Sequence, residues 1–418
     1  MAPPVEERAA AAENLLGMAV PADLTRLARA LAARTEEVIV DAVAICEIPA
    51  PTFHEARRAR HVLRRMRALG LGAPRLEETG NVVAELPGAA DGPTVVLTAH
   101  LDTVFEADVP VRVRREGAVL RAPGIGDNSL GVAGLLWLGG ALRALPGRGT
   151  LVLVANTCEE GLGDLRGARA AWDRYGARAD AWIVLEGATF NRAVYAGVCS
   201  RRLEVGYRAA GGHSWLDFGR PSAVHAIGRL VDQIAAIRPP REPRTTYNVG
   251  VLRGGTTVNS IAASASLLLD MRSEDPAALD ALDRTVRDLA AAVAAASDVE
   301  VSVEVVGDRP GGRLPDGHPL FSVVNAAAEA VGVPVEWESG STDANVPLSH
   351  GAAAVCLGLA RGEGAHTRDE AVDVGALPLG LTQACLVAAS LLRRPALTKF
   401  AVIDSTSAGR STRESVDQ

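Results

Sequence analysis

Two adjacent glutamates stand just after an apolar segment near the middle of the chain. The segment LVLVA (151–155) is typical of a buried strand, and Glu159 and Glu160 lie in the loop that follows it. Adjacent carboxylates repel each other, and burial raises the pKa of each one. The pair is therefore unfavourable alone, whereas a bound divalent cation would reverse the sign of the interaction.

Further potential metal ligands follow other apolar segments in the same manner. They are His100 at the end of TVVLTAH, Asp127 after GIG, Glu186 at the end of AWIVLE, and His366 in GEGAHT after AVCLGLA. In open α/β sheets, binding sites lie outside the carboxyl ends of the strands. We therefore expect these side chains to meet the two glutamates at one edge of a sheet.

This set of histidines and carboxylates can hold two divalent ions if one carboxylate bridges them. Asp127 suits the bridge, because the glycines before it let the backbone come close. Asp102 follows His100 by two residues. Positions i and i+2 share one face of a strand, so the Asp102 carboxylate can fix the imidazole ring. One glutamate of the pair then need not bind metal and can accept a proton from metal-bound water.

The pattern of apolar residues predicts how these side chains are positioned. Continuous apolar strands alternate with helices up to residue 200 and again after 310, which predicts an α/β fold with a mixed, largely parallel sheet flanked by helices. AVYAGVCS (193–200) is predicted as one strand. Between these parts, strands of alternating polarity in the order β-α-β-β-α-β predict an inserted ferredoxin-like α+β domain with antiparallel pairing. The predicted parts are a lead-in (1–22), a catalytic domain in two segments (23–200 and 309–397), the insert (201–308) and a disordered tail (398–418).

Composition and charge argue against several classes of protein. The 418 residues carry a net charge of −7 and no basic run with interleaved aromatic residues, so we expect no nucleic-acid partner. Five widely spaced cysteines predict neither a disulfide framework nor a zinc finger. The N-terminal segment lacks the apolar region of a signal peptide, and the longest apolar stretch is too short and too interrupted to span a membrane. We therefore expect a cytoplasmic protein with no membrane partner.

Five stretches together resemble the co-catalytic dinuclear metallopeptidases of the aminoacylase, carboxypeptidase G and peptidase T family. They are AHLDTV, GIGDNSLGVAGLL, NTCEEGLGDLRG, VLEGA and GEGAHT. The resemblance covers roughly residues 35–395, and IPAPTF and SGSTDAN are similar to the peptidase T-like branch. It implies a zinc-exopeptidase-like catalytic domain with a lid and dimerisation domain over 201–308.

The resemblance also implies a role for each candidate ligand. One metal would be held by His100, Asp127 and Glu186, and the other by Asp127, Glu160 and His366. Glu159 would be the general base, with Asp102 behind His100. Nitrogen and oxygen ligands favour Zn²⁺, and Mn²⁺ or Co²⁺ also suit carboxylate-rich sites.

Residues of the insert carry the implied contacts with substrate. The resemblance implies that His213 in GGHSW reaches across a homodimer interface and binds the oxyanion in the other subunit's site. It implies that Asn259 and Arg272 hold the carboxylate or carbonyl of the substrate, and arginine suits bidentate carboxylate binding. The family's usual Asn-x-Ile-Pro reads NSIA here, without the proline. Thr342 in SGSTDAN is similar to a substrate-side loop of the peptidase T-like branch.

These residues predict a metal-dependent hydrolase of an amide bond in a small peptide or an N-acyl amino acid. The attacking group would be a hydroxide held between the metals, with Glu159 as general base. One alternative is hydrolysis of a non-peptide C–N bond, as in an amidine, a ureide or an aryl amine. A substrate without a carboxylate would not need the contacts of Arg272 and Asn259. The other alternative is a catalytically dead binding protein, which the complete ligand set and the intact Glu159 disfavour.

Overall fold

The structure is a computed structural model that describes residues 33–393, together with residues 26, 27 and 30. The predicted lead-in and tail lie outside the described residues. The strands are β1 Arg75–Leu76, β2 Val82–Leu86, β3 Thr94–His100, β4 Arg114–Glu116, β5 Val119–Arg121, β6 Thr150–Asn156, β7 Ala181–Glu186, β8 Arg192–Gly197, β9 Cys199–Arg208, β10 Gly212–His213, β11 Thr245–Gly254, β12 Ser260–Ile261, β13 Ser264–Ser273, β14 Glu300–Arg309, β15 Gly312–Arg313, β16 Glu336–Gly340, β17 Ala354–Gly358, β18 Arg361–Glu363 and β19 Ala371–Asp373. The helices are α1 Thr35–Cys46, α2 Ala56–Ala68, α3 Leu130–Leu142, α4 Arg166–Tyr175, α5 Ala223–Ala235, α6 Pro276–Ser297, α7 Pro319–Val331, α8 Asn345–Ser349 and α9 Leu377–Arg393.

The central sheet has the strand order β1-β2-β6-β3-β7-β17-β8-β15, and β16 also pairs with β8. Strands β6, β3, β7 and β17 are parallel to one another, whereas β2 and β8 pair antiparallel to this group. Every residue of β3 and β6 after the first is buried, as expected for strands covered on both faces. The predicted mixed, largely parallel sheet is confirmed.

The insert forms its own four-stranded antiparallel sheet in the order β11-β13-β9-β14. Its longer elements follow the predicted β-α-β-β-α-β order, with α5 and α6 packed on one face around a separate apolar core, and the two-residue strands β10 and β12 pair with each other outside this sheet. Asp275 begins α6 by accepting hydrogen bonds from two backbone N–H groups of the first turn, and Pro276 occupies the first helical position. We call this inserted domain the lid.

The prediction of a single strand over 193–200 is wrong. Strand β8 ends at Gly197 and belongs to the central sheet, whereas β9 begins at Cys199 and belongs to the sheet of the lid. Apolar residues flank the junction on both sides, so the sequence pattern continues across the change of sheet. The lid sheet accordingly begins and ends at residues 199 and 309, and the predicted limits 201 and 308 fall inside its first and last strands.

The helical segment Val374–Arg393 contains the longest apolar stretch and, contrary to the expectation from the sequence, is long and apolar enough to cross a membrane by length and composition, with a mean hydropathy of 1.6. In the fold, 67% of its most apolar window is buried inside the protein. Residues such as Leu381 and Val387 belong to the main apolar core. This burial is the arrangement of a core helix of a globular domain.

Candidate metal centre

The carboxyl ends of three neighbouring strands carry most of the predicted ligands. Strand β3 ends at His100, β7 ends at Glu186, and β6 is followed by Glu159 and Glu160. Because β3 lies between β6 and β7 and is parallel to both, these ends meet at one edge of the sheet.

Asp127 lies between the two candidate histidine ligands. It stands in the irregular turn Ile125–Ser129 before α3, and His366 lies between β18 and β19. Its Oδ1 atom is 3.0 Å from Nε2 of His100, and its Oδ2 atom is 3.0 Å from Nε2 of His366. A carboxylate with one oxygen toward each histidine could serve as a shared ligand if two metal ions were bound.

Potential ligand atoms of the described residues fall into groups whose members all lie within 4.8 Å of one another. The groups are His100, Asp127 and Glu186; Asp127, Glu160 and His366; and His100, Glu159 and Glu160. The first two groups share Asp127 and together contain every predicted metal ligand. Their nitrogen and oxygen donors fit divalent ions such as Zn²⁺, Mn²⁺ or Co²⁺.

Charge crowding in the site also fits divalent ions. Burial, opposed by a hydrogen bond with His366 and assisted by the charges of Glu159 and Asp127, raises the pKa of Glu160 to about 7. Burial likewise raises the pKa of Glu186 to about 7. Hydrogen bonds with Asp127 and Glu160 raise the pKa of His366 to about 10. The clustered carboxylates therefore need protons or cations to balance them, and a divalent ion supplies that charge.

Asp102 is fully buried and contacts more than the histidine it was predicted to orient. Its Oδ1 atom lies 3.5 Å from Nδ1 of His100, whose closer partner is the Asp102 backbone oxygen at 3.1 Å. The carboxylate accepts hydrogen bonds from the backbone N–H groups of Glu159 and Glu160, both at 2.9 Å, and from the Thr52 hydroxyl at 2.9 Å. Asp102 therefore positions both the histidine and the glutamate turn.

Glu159 is buried and paired with an arginine that the sequence analysis missed. Nη1 of Arg309 lies 3.0 Å from Oε1 of Glu159, and Nη2 of Arg309 donates to the Glu159 backbone oxygen. Nη1 also donates to the Ser341 hydroxyl at 3.2 Å. Arg309 is itself only 5% exposed, so the pair is shielded from solvent.

A second missed residue, Glu370, holds the turn that carries Asp127. Its Oε1 atom accepts hydrogen bonds from the backbone N–H groups of Gly126 and Asp127 at 2.7 and 2.8 Å, and its Oε2 atom accepts one from Gly124 at 2.8 Å. No spacing in the sequence singled out Glu370 or Arg309. Each resembles a surface charge at a strand end, and only the fold places them under the ligands.

We expect Glu370→Gln to weaken the binding of both metal ions by about 10- to 100-fold. The amide keeps one acceptor oxygen but turns an NH₂ group toward backbone N–H donors, so the turn that places Asp127 is disturbed. Metal titration of the chelator-stripped protein by calorimetry measures the effect. Glu363→Gln is the matched control, because Glu363 is exposed and lies 3.7 Å from Arg121. Unchanged affinity in Glu370→Gln would contradict the positioning role.

The structure places three of the four predicted substrate residues in two parts of the lid. His213 and Asn259 are adjacent, because β10 pairs with β12 and the Ser214 N–H donates to the Asn259 backbone oxygen at 3.0 Å. Arg272 lies on β13, where its Nε atom donates to Asp270 at 2.7 Å. Among the described residues, no hydrogen bond or ion pair joins these three side chains to a metal ligand.

Thr342 lies in the loop before α8, and its polar groups are engaged there. Its N–H donates to the Asn345 side chain at 3.0 Å, and its hydroxyl accepts from the Ala344 N–H at 3.1 Å. The next residue, Asp343, is buried and accepts a hydrogen bond from Nδ2 of Asn156 at 2.7 Å. In the described part of the chain, the second carboxylate oxygen of Asp343 has no hydrogen-bond partner.

We expect Asp343→Asn to remove a loss of stability at high pH in the metal-free protein. Burial, followed by the charge of Glu159, raises the pKa of Asp343 to about 8 in the folded state, above a reference of about 3.9. The stabilisation linked to its proton is therefore complete below about pH 4 and is lost as the pH rises through about 8. Urea midpoints from pH 5 to 9 should fall less in the variant than in the wild type.

The control for this pH series is Asp316→Asn, because the Asp316 side chain is 91% exposed. Its midpoints should run parallel to those of the wild type at every pH. Parallel profiles for Asp343→Asn as well would contradict the assignment of this buried carboxyl.

Comparison with known proteins gives relatives along most of the chain. The sequence profile of Peptidase family M20/M25/M40 matches residues 96–389. A provisionally named succinyl-diaminopimelate desuccinylase, DapE of Mycobacterium tuberculosis, is 31% identical over 355 residues, which cover 79% of this chain and 92% of the relative.

Two solved structures share the fold. A tripeptidase from Staphylococcus aureus has a TM-score of 0.73 and 20% identity, and the match covers 86% of this chain and 99% of the other. The aminopeptidase PepT from Bacillus cereus has a TM-score of 0.69 and 22% identity, covering 85% and 98%. At these identities the likeness concerns the fold alone.

Proposed function

Since this chain belongs to Peptidase family M20/M25/M40, we propose that it is a dinuclear metallohydrolase that cleaves an amide bond in a small peptide or an N-acyl amino acid. One observation carries the proposal. The two carboxylate oxygens of Asp127 each lie 3.0 Å from the Nε2 atom of a different histidine, His100 or His366. Glu186 and Glu160 complete the two groups on either side.

The chain's own groups have distinct tasks in this reaction. Two divalent ions, when bound by these groups, supply Lewis acidity that lowers the pKa of a water and polarises the scissile carbonyl. Glu159 accepts the proton of the attacking water and delivers it to the departing amine nitrogen. Asp102 keeps His100 and the glutamate turn in register through its hydrogen bonds. Because Glu159 is buried, bulk water has little access to its carboxylate and does not exchange with the proton that it transfers.

The lid supplies the groups proposed to bind the substrate. Arg272 is 45% exposed and is oriented by Asp270, so its outer NH groups remain available for a carboxylate. A carboxylate at this position suits a peptide or an N-acyl amino acid. The relatives named as a tripeptidase and a desuccinylase match these two options, which is why the proposal retains both.

Chelator-sensitive release of amine from a substrate panel tests the proposal. The panel contains di- and tripeptides, N-acyl amino acids including N-succinyl ones, and ureides and aryl amides without a carboxylate. We expect turnover only with carboxylate-bearing amides. Turnover confined to the compounds without a carboxylate would overturn the substrate class, and a metal-loaded protein inert on the whole panel would favour a binding protein.

We further propose that the enzyme is a cytoplasmic homodimer that uses Zn²⁺. The loops beside His213 expose large apolar side chains, with Trp215 83%, Phe218 90% and Val258 102% exposed, and such a cluster suits burial against a second copy. All five cysteines are free and buried, which suits a reducing compartment. Sedimentation analysis decides the assembly: a monomer at micromolar concentration, active as such, would exclude a role for His213 in a second subunit.

A further inference from the structure

The lid contacts the turn 159–164, which carries both adjacent glutamates. Three residues of the first and last strands of the lid sheet contact this turn, through four hydrogen bonds. Arg309 donates to the carboxylate and to the backbone oxygen of Glu159, Nη1 of Arg202 donates to the Gly161 oxygen at 2.5 Å, and the Asp308 N–H donates to Oδ1 of Asp164 at 2.9 Å. The turn is therefore fixed to the catalytic domain by Asp102 and to the lid by these strand ends.

Arg309 donates hydrogen bonds to both ends of Glu159, the side-chain carboxylate and the backbone oxygen. One guanidinium nitrogen contacts the carboxylate, and the other contacts the backbone oxygen of the same residue. A glutamate side chain has several rotatable bonds, and both its ends must be held to select one rotamer. Among the described residues, only Oε1 of the Glu159 carboxylate accepts a hydrogen bond, from Arg309. Oε2 is thus the carboxylate oxygen that can accept the proton of the attacking water.

We propose that Arg309 is the positioning residue of the general base Glu159. It holds the Glu159 carboxylate in the rotamer needed for proton transfer while the ends of the lid strands contact the turn 159–164. The proposal rests on the proposed hydrolase function, in which Glu159 transfers the proton. Because Arg309 is the last residue of β14, it connects the lid sheet directly to the general base Glu159. A displacement of a reacting group by about 1 Å is enough to cost about 100-fold in rate.

A buried ion pair can also be merely structural, and removal of one partner then lowers stability without a selective effect on catalysis. The two roles predict different results. A positioning role predicts a lower kcat with KM and metal content preserved. It also predicts that lysine cannot replace arginine, because a single ammonium cannot span the carboxylate and the backbone oxygen as the planar fork does.

Kinetics of Arg309→Ala and Arg309→Lys provide the first test. We expect kcat to fall by about 100-fold in Arg309→Ala, KM to change by less than about threefold, and both metal ions to remain bound. Added guanidinium at millimolar concentration should restore part of the rate of Arg309→Ala but not change the wild type. Arg309→Lys should stay at least about tenfold slower than the wild type.

Arg201→Ala is the matched control. Arg201 neighbours Arg202 on β9 but pairs with Asp280, Asp283 and Asp308, and it contacts neither Glu159 nor a ligand. We expect its kcat to stay within about threefold of the wild type after correction for folded fraction. Equal losses of kcat in Arg201→Ala and Arg309→Ala, or no rescue by guanidinium, would overturn the positioning role.

A double-mutant cycle in the metal-free protein tests the contact without using activity. Denaturant midpoints are compared for the wild type, Arg309→Ala, Glu159→Ala and the double variant, because alanine at either position removes the contact between the two side chains. We expect the shifts in midpoint to be non-additive, so that the double variant is at least as stable as the less stable of the two single variants. Additive shifts would overturn the proposal even for an active enzyme. Coupled shifts in a protein that is inert on the whole substrate panel would instead locate the failure in the proposed function.

Discussion

We expect Glu159→Gln to retain both metal ions and to lose about 1,000-fold in kcat. Glutamine has the same shape and can still accept the hydrogen bond from Arg309 through its amide oxygen. It cannot accept a proton from water at neutral pH. The loss should therefore appear in kcat, with metal content and KM close to those of the wild type.

The neighbouring residue supplies the control for this experiment. Glu160→Gln changes the same functional group one position along the chain, but Glu160 belongs to the group with Asp127 and His366. We expect this variant to lose metal from one position, whereas Glu159→Gln does not. A Glu159→Gln enzyme that turns over within tenfold of the wild type, or that binds only one ion, would refute the assignment of the general base.

Asp127→Asn should have the broadest effect of any single ligand change. Its two oxygens face the two histidines at equal distances of 3.0 Å. An asparagine keeps one oxygen and turns an NH₂ group toward one of the two positions. We expect the affinity for both ions to fall by more than about 100-fold, beyond the effect of outer contacts, and turnover to disappear at micromolar metal.

Changes to unshared ligands make the comparison specific. Glu186→Gln and His366→Ala each remove a group from one position, since Glu186 lies with His100 and His366 lies with Glu160. Calorimetric titration of the stripped proteins should show one strong site left in each of these variants and none in Asp127→Asn. A strong site that persists in Asp127→Asn would show that this carboxylate does not bridge.

The sequence was sufficient to predict that the candidate ligands cluster, because most of them stand at or shortly after the end of an apolar strand. Parallel strands bring their carboxyl ends to one edge, so the positions of His100, Glu186 and the glutamate pair along the chain already imply that they meet. The β-α-β-β-α-β order of the lid was legible for a similar reason. Its strands alternate in polarity because one face packs on α5 and α6.

What the sequence could not predict depends on contacts between distant segments. Glu370 lies 243 or more positions from the backbone groups it accepts from, and Arg309 lies 150 positions from Glu159. Such pairs leave no periodicity to detect. The passage from β8 to β9 was hidden because the chain stays apolar while it changes sheets. Charged residues that support a site are therefore found by the fold rather than by the pattern.

Anomalous diffraction from crystals of the zinc-loaded protein tests most directly whether two metal ions lie on either side of Asp127. We expect two zinc peaks, one among His100, Asp127 and Glu186 and the other among Asp127, Glu160 and His366. A single peak, or two peaks that do not share Asp127, would contradict this expectation.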